Sequence, residues 1–507
     1  MIPTTLRQAA GPPTAFLTPW RSDVSRSPLI LSAFLMNTTS HIIGGAWRRP
    51  EAQQHRFNEL QHWVSLVQRL ESSGFDIAFF ADVVGLYGDH EGGWASHVRR
   101  GLQIPANDPL VLISALAAVT DRIGLALTSS VIQAHPFAFA RQLSTLDHLS
   151  GGRVGWNVVT SASENAHRNF GSDGLAEHDD RYDWAEEYLE VCYKLWEGSW
   201  EDGALVQDKH LEHDRGRGLH GDPDKVAKIE HTGARYRVEG PHLSAPSPQR
   251  TPFLFQAGSS SRGRDVAARH AEATFSMAPR RDIAAAHAKD VRERAARAGR
   301  RPEDVKFIQG LSFVVGSTEA EARARAEDLD NSLDIHALIA HTAGSLGVDV
   351  GHLPIDAPLD DLEHTEGAQG HLSELRAMAP NGRVTLRDLA HFRAHATRIV
   401  GTPDQIADEL EAWQDAGIDG INVINSTIPG SYDEFIDHVL PVLRSRGLAR
   451  TAEEEQTRRP TSLRARVTGA DRLPDSHPAA AYRGAFGHLS ATSTETPKQQ
   501  LLAGRGL

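Results

Sequence analysis

The sequence has a single cysteine, Cys192, among 507 residues, so no intrachain disulfide can form. Cys192 lies in a stretch of helical apolar spacing, where a small buried core residue is its expected role. No apolar run is long enough for a membrane-spanning helix. Residues 1–28 are rich in Pro, Ser and Thr and lack an apolar signal core, so an irregular arm on a cytoplasmic protein is expected there. Basic charge is scarce: Lys+Arg 53 against Asp+Glu 66 gives a net −13. No long basic run offsets this, which argues against a nucleic-acid partner. Histidine is plentiful, at 26 residues, yet neither a His-x-His at the end of the first apolar run nor a His-Glu-x-x-His is present. A barrel metallohydrolase would need such ligands, and no metal is expected. There is no internal repeat. A literal Gly-x-Gly-x-x-Gly at Gly216, Gly218 and Gly221 follows no strand and opens no helix, so it is not a dinucleotide fingerprint.

What the chain does contain is a recurring unit. Short apolar runs, each ending in polar residues and followed by helical periodicity, lie at Leu29–Met36, Asp76–Phe80, Ile123–Leu127, Ser150–Ser161, Pro252–Gln256, Ala273–Met277, within Val305–Val315, and at Gly420–Ile424. Eight strand-then-helix units predict an α/β fold, a (β/α)8 TIM barrel over residues 29–450, with an open doubly wound sheet as the competing topology. Insertions are expected at 85–107 and 198–250, and a long helical, variable stretch at 318–398. Gly401-Thr402-Pro403-Asp404 reads as a helix cap. Residues 451–507 turn rich in Arg, Glu, Pro, Ser and Thr, and a loosely ordered extension is expected.

Ligands of such barrels sit at the C-terminal strand ends. Asp82, Thr128 and Asn157 are polar residues at three of them, suited to hydrogen-bonding a heterocycle. For each alone, a strand-end cap is the plainer reading. Ala257-Gly258-Ser259-Ser260 joins a strand to a helix and can form an anion site, or simply a well-capped helix. His178 and Tyr182, one turn apart, share a helix face. Trp47 and Arg48, with His41 nearby, lie in the loop after the first strand and are candidates for contact with an anionic or aromatic substrate.

Taken together, these stretches resemble one family. Asn37-Thr-Thr-Ser-His41 with Gly45-Ala-Trp-Arg-Arg-Pro50 is similar to its first active-site loop. Ser150-Gly-Gly-Arg-Val-Gly-Trp-Asn-Val-Val-Thr-Ser161, followed by Arg168-Asn-Phe-Gly171, is similar to its signature. His178-Asp-Asp-Arg-Tyr182, Gln256-Ala-Gly-Ser-Ser260 and Gly401-Thr-Pro403 follow in order. The family is the group of bacterial-luciferase-like flavin monooxygenases that holds nitrilotriacetate monooxygenase, dibenzothiophene-sulfone monooxygenase and pristinamycin synthase.

The resemblance implies a luciferase-like barrel that uses reduced FMN (FMNH2) as a diffusible co-substrate. NAD(P)H enters only through a separate flavin reductase. FMNH2 and O2 would form a C4a-(hydro)peroxyflavin that oxygenates a small organic substrate, with C–N or C–S cleavage as one outcome. It implies flavin contacts at Asp82, Thr128, His178, Tyr182, Ser259 and Ser260; Asn157 joins them from its place in the signature. His41 is the candidate catalytic residue, and Trp47 and Arg48 the candidate substrate contacts. A homodimer or homotetramer is expected. The alternatives are a deazaflavin-dependent oxidoreductase of the same superfamily and a catalytically silent flavin-binding barrel.

Overall fold

The computed structural model describes residues 27–86, 93–213, 216–346, 350, 353–356, 384–459 and 461–486. The arm expected at residues 1–28 therefore lies almost wholly outside the described residues, as do the last residues of the chain.

Eight parallel strands close into a barrel: β1 (Ile30–Met36), β2 (Ile77–Ala81), β3 (Gly124–Ser130), β4 (Val154–Val159), β5 (Phe253–Gln256), β6 (Ala273–Ser276), β7 (Lys306–Val315) and β8 (Gly420–Ile424). Closure is by β8 on β1, with Phe34 opposite Ile424 on one side and Phe79 on the other. Each strand is followed by at least one helix on the outside. Because both faces are covered, the strands read as near-continuous apolar runs rather than alternating ones. Ile30, Phe34, Phe79, Phe253, Phe255 and Ile308 pack inside the barrel, while Leu31, Leu35, Phe80 and Leu127 face the helices.

Local chemistry sets the helix ends. Asp108 caps the helix Pro109–Ala117 through Leu110 N at 2.8 Å. Gly151 ends the helix Pro136–Ser150 at φ 68°, a conformation that costs glycine least. The expected Thr402-Pro403 cap is present as a full capping box with Gln405. The signature stretch has a structural function at its start. Arg153 is buried and donates to the carbonyls of Ser150, Ile123, Ala117 and Thr120 and to Thr120 Oγ1. It ties the N-terminal ends of β3 and β4 to the helix before them. Trp156 is fully buried and donates to Ser129 O at 3.0 Å.

Two regions differ from expectation. The polar insertion at 198–250 contains an antiparallel hairpin, Leu205–His213 with Gly216–Gly221. Its strands are largely exposed, so they carry no alternating apolar pattern. The glycine triplet Gly216, Gly218 and Gly221 lies in this hairpin. A ninth strand, Arg398–Gly401, pairs with the upper half of β7 from Ser312 onward.

The expectation of a loosely ordered extension is corrected over residues 452–459 and 461–486. Helices Ala452–Thr457 and Leu463–Thr468 and a turn of helix at Pro478–Tyr482 pack under the barrel. Leu463 is fully buried in the interior cluster. A Cβ on Gly124 would overlap the Leu463 side chain, and one on Gly155 would lie 3.0 Å from it, so these two strand glycines leave the space it fills. Arg464, also buried, donates to Glu272 at 2.6 and 3.0 Å. Arg466 and Arg450 converge on Asp76 at 2.8 and 2.9 Å. Composition suggests disorder here because these charges are paired in the interior, where composition cannot see them.

Candidate active site at the strand ends

Thr128 and Asn157 are register partners on β3 and β4. Asn157 Nδ2 donates to Thr128 Oγ1 at 3.0 Å. The Asn157 Oδ1 atom is buried and has no partner. Leaving a buried acceptor unmet costs ~1–3 kcal/mol, a cost that a donor from a bound ligand would offset. Asp82, half-buried, follows the last residue of β2. Burial, with the nearby charge of Asp108 as a smaller cause, pushes its carboxyl up to about 7.

Ser161 is a residue that sequence reasoning does not single out. It has φ 51°, unusual for a residue with a side chain. Its Oγ donates to Ser130 Oγ at 2.9 Å. Its carbonyl accepts from Arg181 Nη1 at 2.7 Å and bonds His167 Nε2 at 3.3 Å. Backbone held in a sparsely populated region by this many partners is characteristic of a functional site. The signal available in the sequence is only its position at the polar end of the signature.

The second part of the site is a cradle. Ser260 caps the helix Ser261–His270, its Oγ accepting from Gly263 N at 3.1 Å. Gly258 N donates to Gln256 Oε1 at 2.7 Å. A Cβ on Gly258 would lie 2.8 Å from Tyr182 Oη, and one on Gly263 2.7 Å. The phenol of Tyr182 thus lies against a bare backbone at a helix N-terminus, a setting suited to an anion. Ser259 is exposed, and its carbonyl accepts from Arg264 Nε. His178 packs on Tyr182, with ring centroids 5.1 Å apart, and its Nδ1 bonds Asp179 at 2.7 Å. It stands at the outer edge of this group.

The third part is the loop after β1. His41 packs at 5.0 Å on Phe34, which in turn stacks on Phe79 and Phe275. These three phenyl rings form an aromatic floor across the barrel. His41 Nδ1 is buried without a partner, and burial lowers the imidazole to about 4. Trp47 and Arg48 are directed elsewhere. Trp47 Nε1 donates to Arg100 O at 3.1 Å. Arg48, exposed, donates to Gly45 O and Ser332 O. Both side chains fasten the loop to neighbouring segments, in contrast with the strand-end groups.

A separate cleft is lined by Glu186, Glu187, Glu190 and Tyr482 among others. Among the described residues, no group of three or more His, Cys, Asp or Glu is placed to hold a metal. No helix among them is long and apolar enough to cross a membrane.

Most of the chain is similar to several known proteins. A long-chain alkane monooxygenase of Geobacillus thermodenitrificans is 41% identical over 463 residues, covering 89% of this chain and 97% of that protein. Component A of nitrilotriacetate monooxygenase from Aminobacter aminovorans is 36% identical, covering 82% of this chain and 92% of its own length. The crystal structure of a riboflavin lyase with a modified FMN and riboflavin superposes with a TM-score of 0.80 at 36% identity, covering 90% of this chain and 100% of that one. The family described as luciferase-like monooxygenase matches residues 22–420, and it is to these luciferase-like monooxygenases that the chain belongs.

Proposed function

We propose that the chain is the oxygenase of a two-component system, in which FMNH2 from a separate NAD(P)H:flavin reductase binds at the strand ends and O2 is used to oxygenate a small organic substrate. The observation that carries this is the Tyr182 phenol set against the side-chain-free Gly258 and Gly263 beside the helix N-terminus capped by Ser260, a setting that fits a phosphate. The unmet Asn157 Oδ1 and the raised carboxyl of Asp82 fit a polar ring edge. Bound reduced flavin supplies two electrons and the site of O2 activation. One oxygen atom enters the substrate and the other leaves as water.

The protein's own contribution is positioning and exclusion of water. Tyr182 and Ser260 anchor the phosphate end. Thr128 orients the Asn157 amide, and Arg181 and His167 fix the Ser161 backbone beside it. Phe34, Phe79 and Phe275 close the barrel below. His41, neutral near pH 7 because burial lowers its pKa, can accept a proton through Nδ1. Asp82 can hold or release one near neutrality. The system works in the cytoplasm, where NAD(P)H is at hand, as a homodimer or homotetramer.

The test is anaerobic titration with FMNH2, followed by turnover with a flavin reductase under 18O2. Saturable binding and one labelled oxygen in the product are expected. Failure to bind FMNH2 would overturn the reading.

A further inference from the structure

We infer that the recess where β1 and β8 end is a site for one water molecule, hydrogen-bonded to His41 Nδ1, and that the imidazole exchanges its proton through this water; the proton-exchange part rests on the monooxygenase reading. His41, Thr39 and Ser426 are among the residues that line the recess.

Size selects the ligand. The recess has a volume of about 20 Å³. One water needs ~10–15 Å³ of such space, whereas sites for organic ligands run to ~300 Å³ and more. Charge selects it too. Among the described residues, no Asp, Glu, Lys or Arg lines the recess, so an ion bound there would be uncompensated.

The polar lining supplies the partners. His41 Nδ1 is buried with no partner, and a buried water makes ~3 hydrogen bonds to groups otherwise unmet. Thr38 Oγ1 donates to Pro105 O at 2.7 Å, and Ser40 Oγ to Gly101 O at 3.1 Å. Each hydroxyl has used its proton and keeps lone pairs that can accept from a water. Gln54 is engaged at both ends, Nε2 donating to Ser426 O and Oε1 accepting from Ile428 N. Ser426 is held by its backbone, through that carbonyl and through its N–H to Ser431 Oγ. Its side chain can be changed without breaking these bonds.

Position gives the water a role. His41 packs on Phe34 of the aromatic floor and edge-on to His341, with ring centroids 6.1 Å apart. With no carboxylate lining the recess, the Nδ1 atom has a water or a hydroxyl as its exchange partner. Two protons accompany the two electrons that pass from FMNH2 to O2, giving FMN and H2O2 when no substrate is present. A proton that His41 takes up at one ring nitrogen leaves from the other to the water, so the neutral ring is restored after each transfer. The water is replenished along the edge where Thr39 and Ile42 are part-exposed.

The first experiment is high-resolution diffraction from crystals of the full chain. One ordered water within ~3.2 Å of His41 Nδ1 is expected; a dry recess, or an ion in it, would overturn the site. The second uses Ser426→Val, which removes a hydroxyl and fills the recess with methyl groups, and Ser426→Thr, which fills it and keeps the hydroxyl. Thermal unfolding checks that each variant folds, and anaerobic titration should give FMNH2 affinity near the parental value. On mixing with O2 in H2O and in D2O, FMN should form at least ~10-fold more slowly in both variants, with a solvent isotope effect changed from the parent's. Parental rate and isotope effect in a variant whose recess is dry by diffraction would overturn the relay. Failure of the parent to bind FMNH2 would instead count against the monooxygenase reading, while diffraction judges the water site by itself.

Discussion

Asn157 Nδ2 donates to Thr128 Oγ1 across adjacent strands, and the oxygen of the same amide is buried with nothing to accept from. The protein therefore holds this side chain in place from one end only. Replacing Asn157 by Leu removes the unmet acceptor, so stability should stay within ~1 kcal/mol of the parent. Affinity for FMNH2 should fall by about tenfold, equivalent to one lost hydrogen bond of ordinary strength. Urea unfolding and anaerobic titration measure the two effects separately. Parental affinity in the variant would remove Asn157 from the site.

The cradle makes a sharper prediction. In Gly258→Ala, the new methyl would meet Gln256 Nε2 at 2.5 Å and Tyr182 Oη at 2.8 Å. It would occupy the space against which the phenol lies. FMNH2 binding should weaken by at least ~100-fold, because both the backbone approach and the Tyr182 position are lost. Tyr182→Phe keeps the ring and should weaken binding by only about tenfold. If free riboflavin lost as much affinity as FMN in Gly258→Ala, the cradle would not be the phosphate site.

Asp82 links the site to pH. Its carboxyl, ordinarily at 3.8, is pushed up to about 7 in the fold. Between these two values the unfolded chain has lost the proton and the folded chain retains it. The folded state binds more protons, so this residue makes stability fall as pH rises across that window. Asp82→Asn should flatten the slope there and be relatively more stable than the parent above pH 7, while binding FMNH2 less well. Chemical-denaturation midpoints from pH 4 to 8 check the slope; an identical profile for parent and variant would refute the assignment.

The closure beneath the barrel is testable without reference to activity. Leu463→Ala should cost ~2–5 kcal/mol, the range for a buried leucine whose cavity cannot collapse. Arg464→Met leaves Glu272 buried and uncompensated and should cost ~3–5 kcal/mol. The double change Arg464→Met with Glu272→Leu should recover most of that loss. Thermal or urea unfolding of the three variants would decide it, and additive losses in the double variant would mean that the pair is not coupled.

The residues that are legible in the sequence are those whose local pattern reports their environment. Leu29–Met36 and Gly420–Ile424 are apolar apart from Ser32 and Asn422 because both faces of their strands are covered, and their pairing as β1 and β8 closes the barrel. Thr128 and Asn157 are expected at strand ends; in the structure each lies two residues inside the C-terminal end of its strand, and the register brings them together. Other features are hidden for physical reasons. Arg464 and Arg466 look like surface charge until their partners, Glu272 and Asp76, arrive from far along the chain. The hairpin strands Leu205–His213 and Gly216–Gly221 lack a buried face and so lack a periodic signal. Arg48 resembles a substrate anchor because sequence gives proximity to an active-site loop but not the direction of the guanidinium. Ser161 escapes notice because backbone strain has no signature in residue type.

The position of Leu463 also bears on how the protein is made. A ribosome delivers β1 through β8 before it delivers the segment that fills the gap left by Gly124 and Gly155. Domains emerge N-terminus first and fold as units, so the nascent barrel waits with an open lower end until Leu463 has emerged. During that interval the apolar interior between β3 and β4 is exposed to chaperones, and a prematurely terminated chain would lack the residue that seals it.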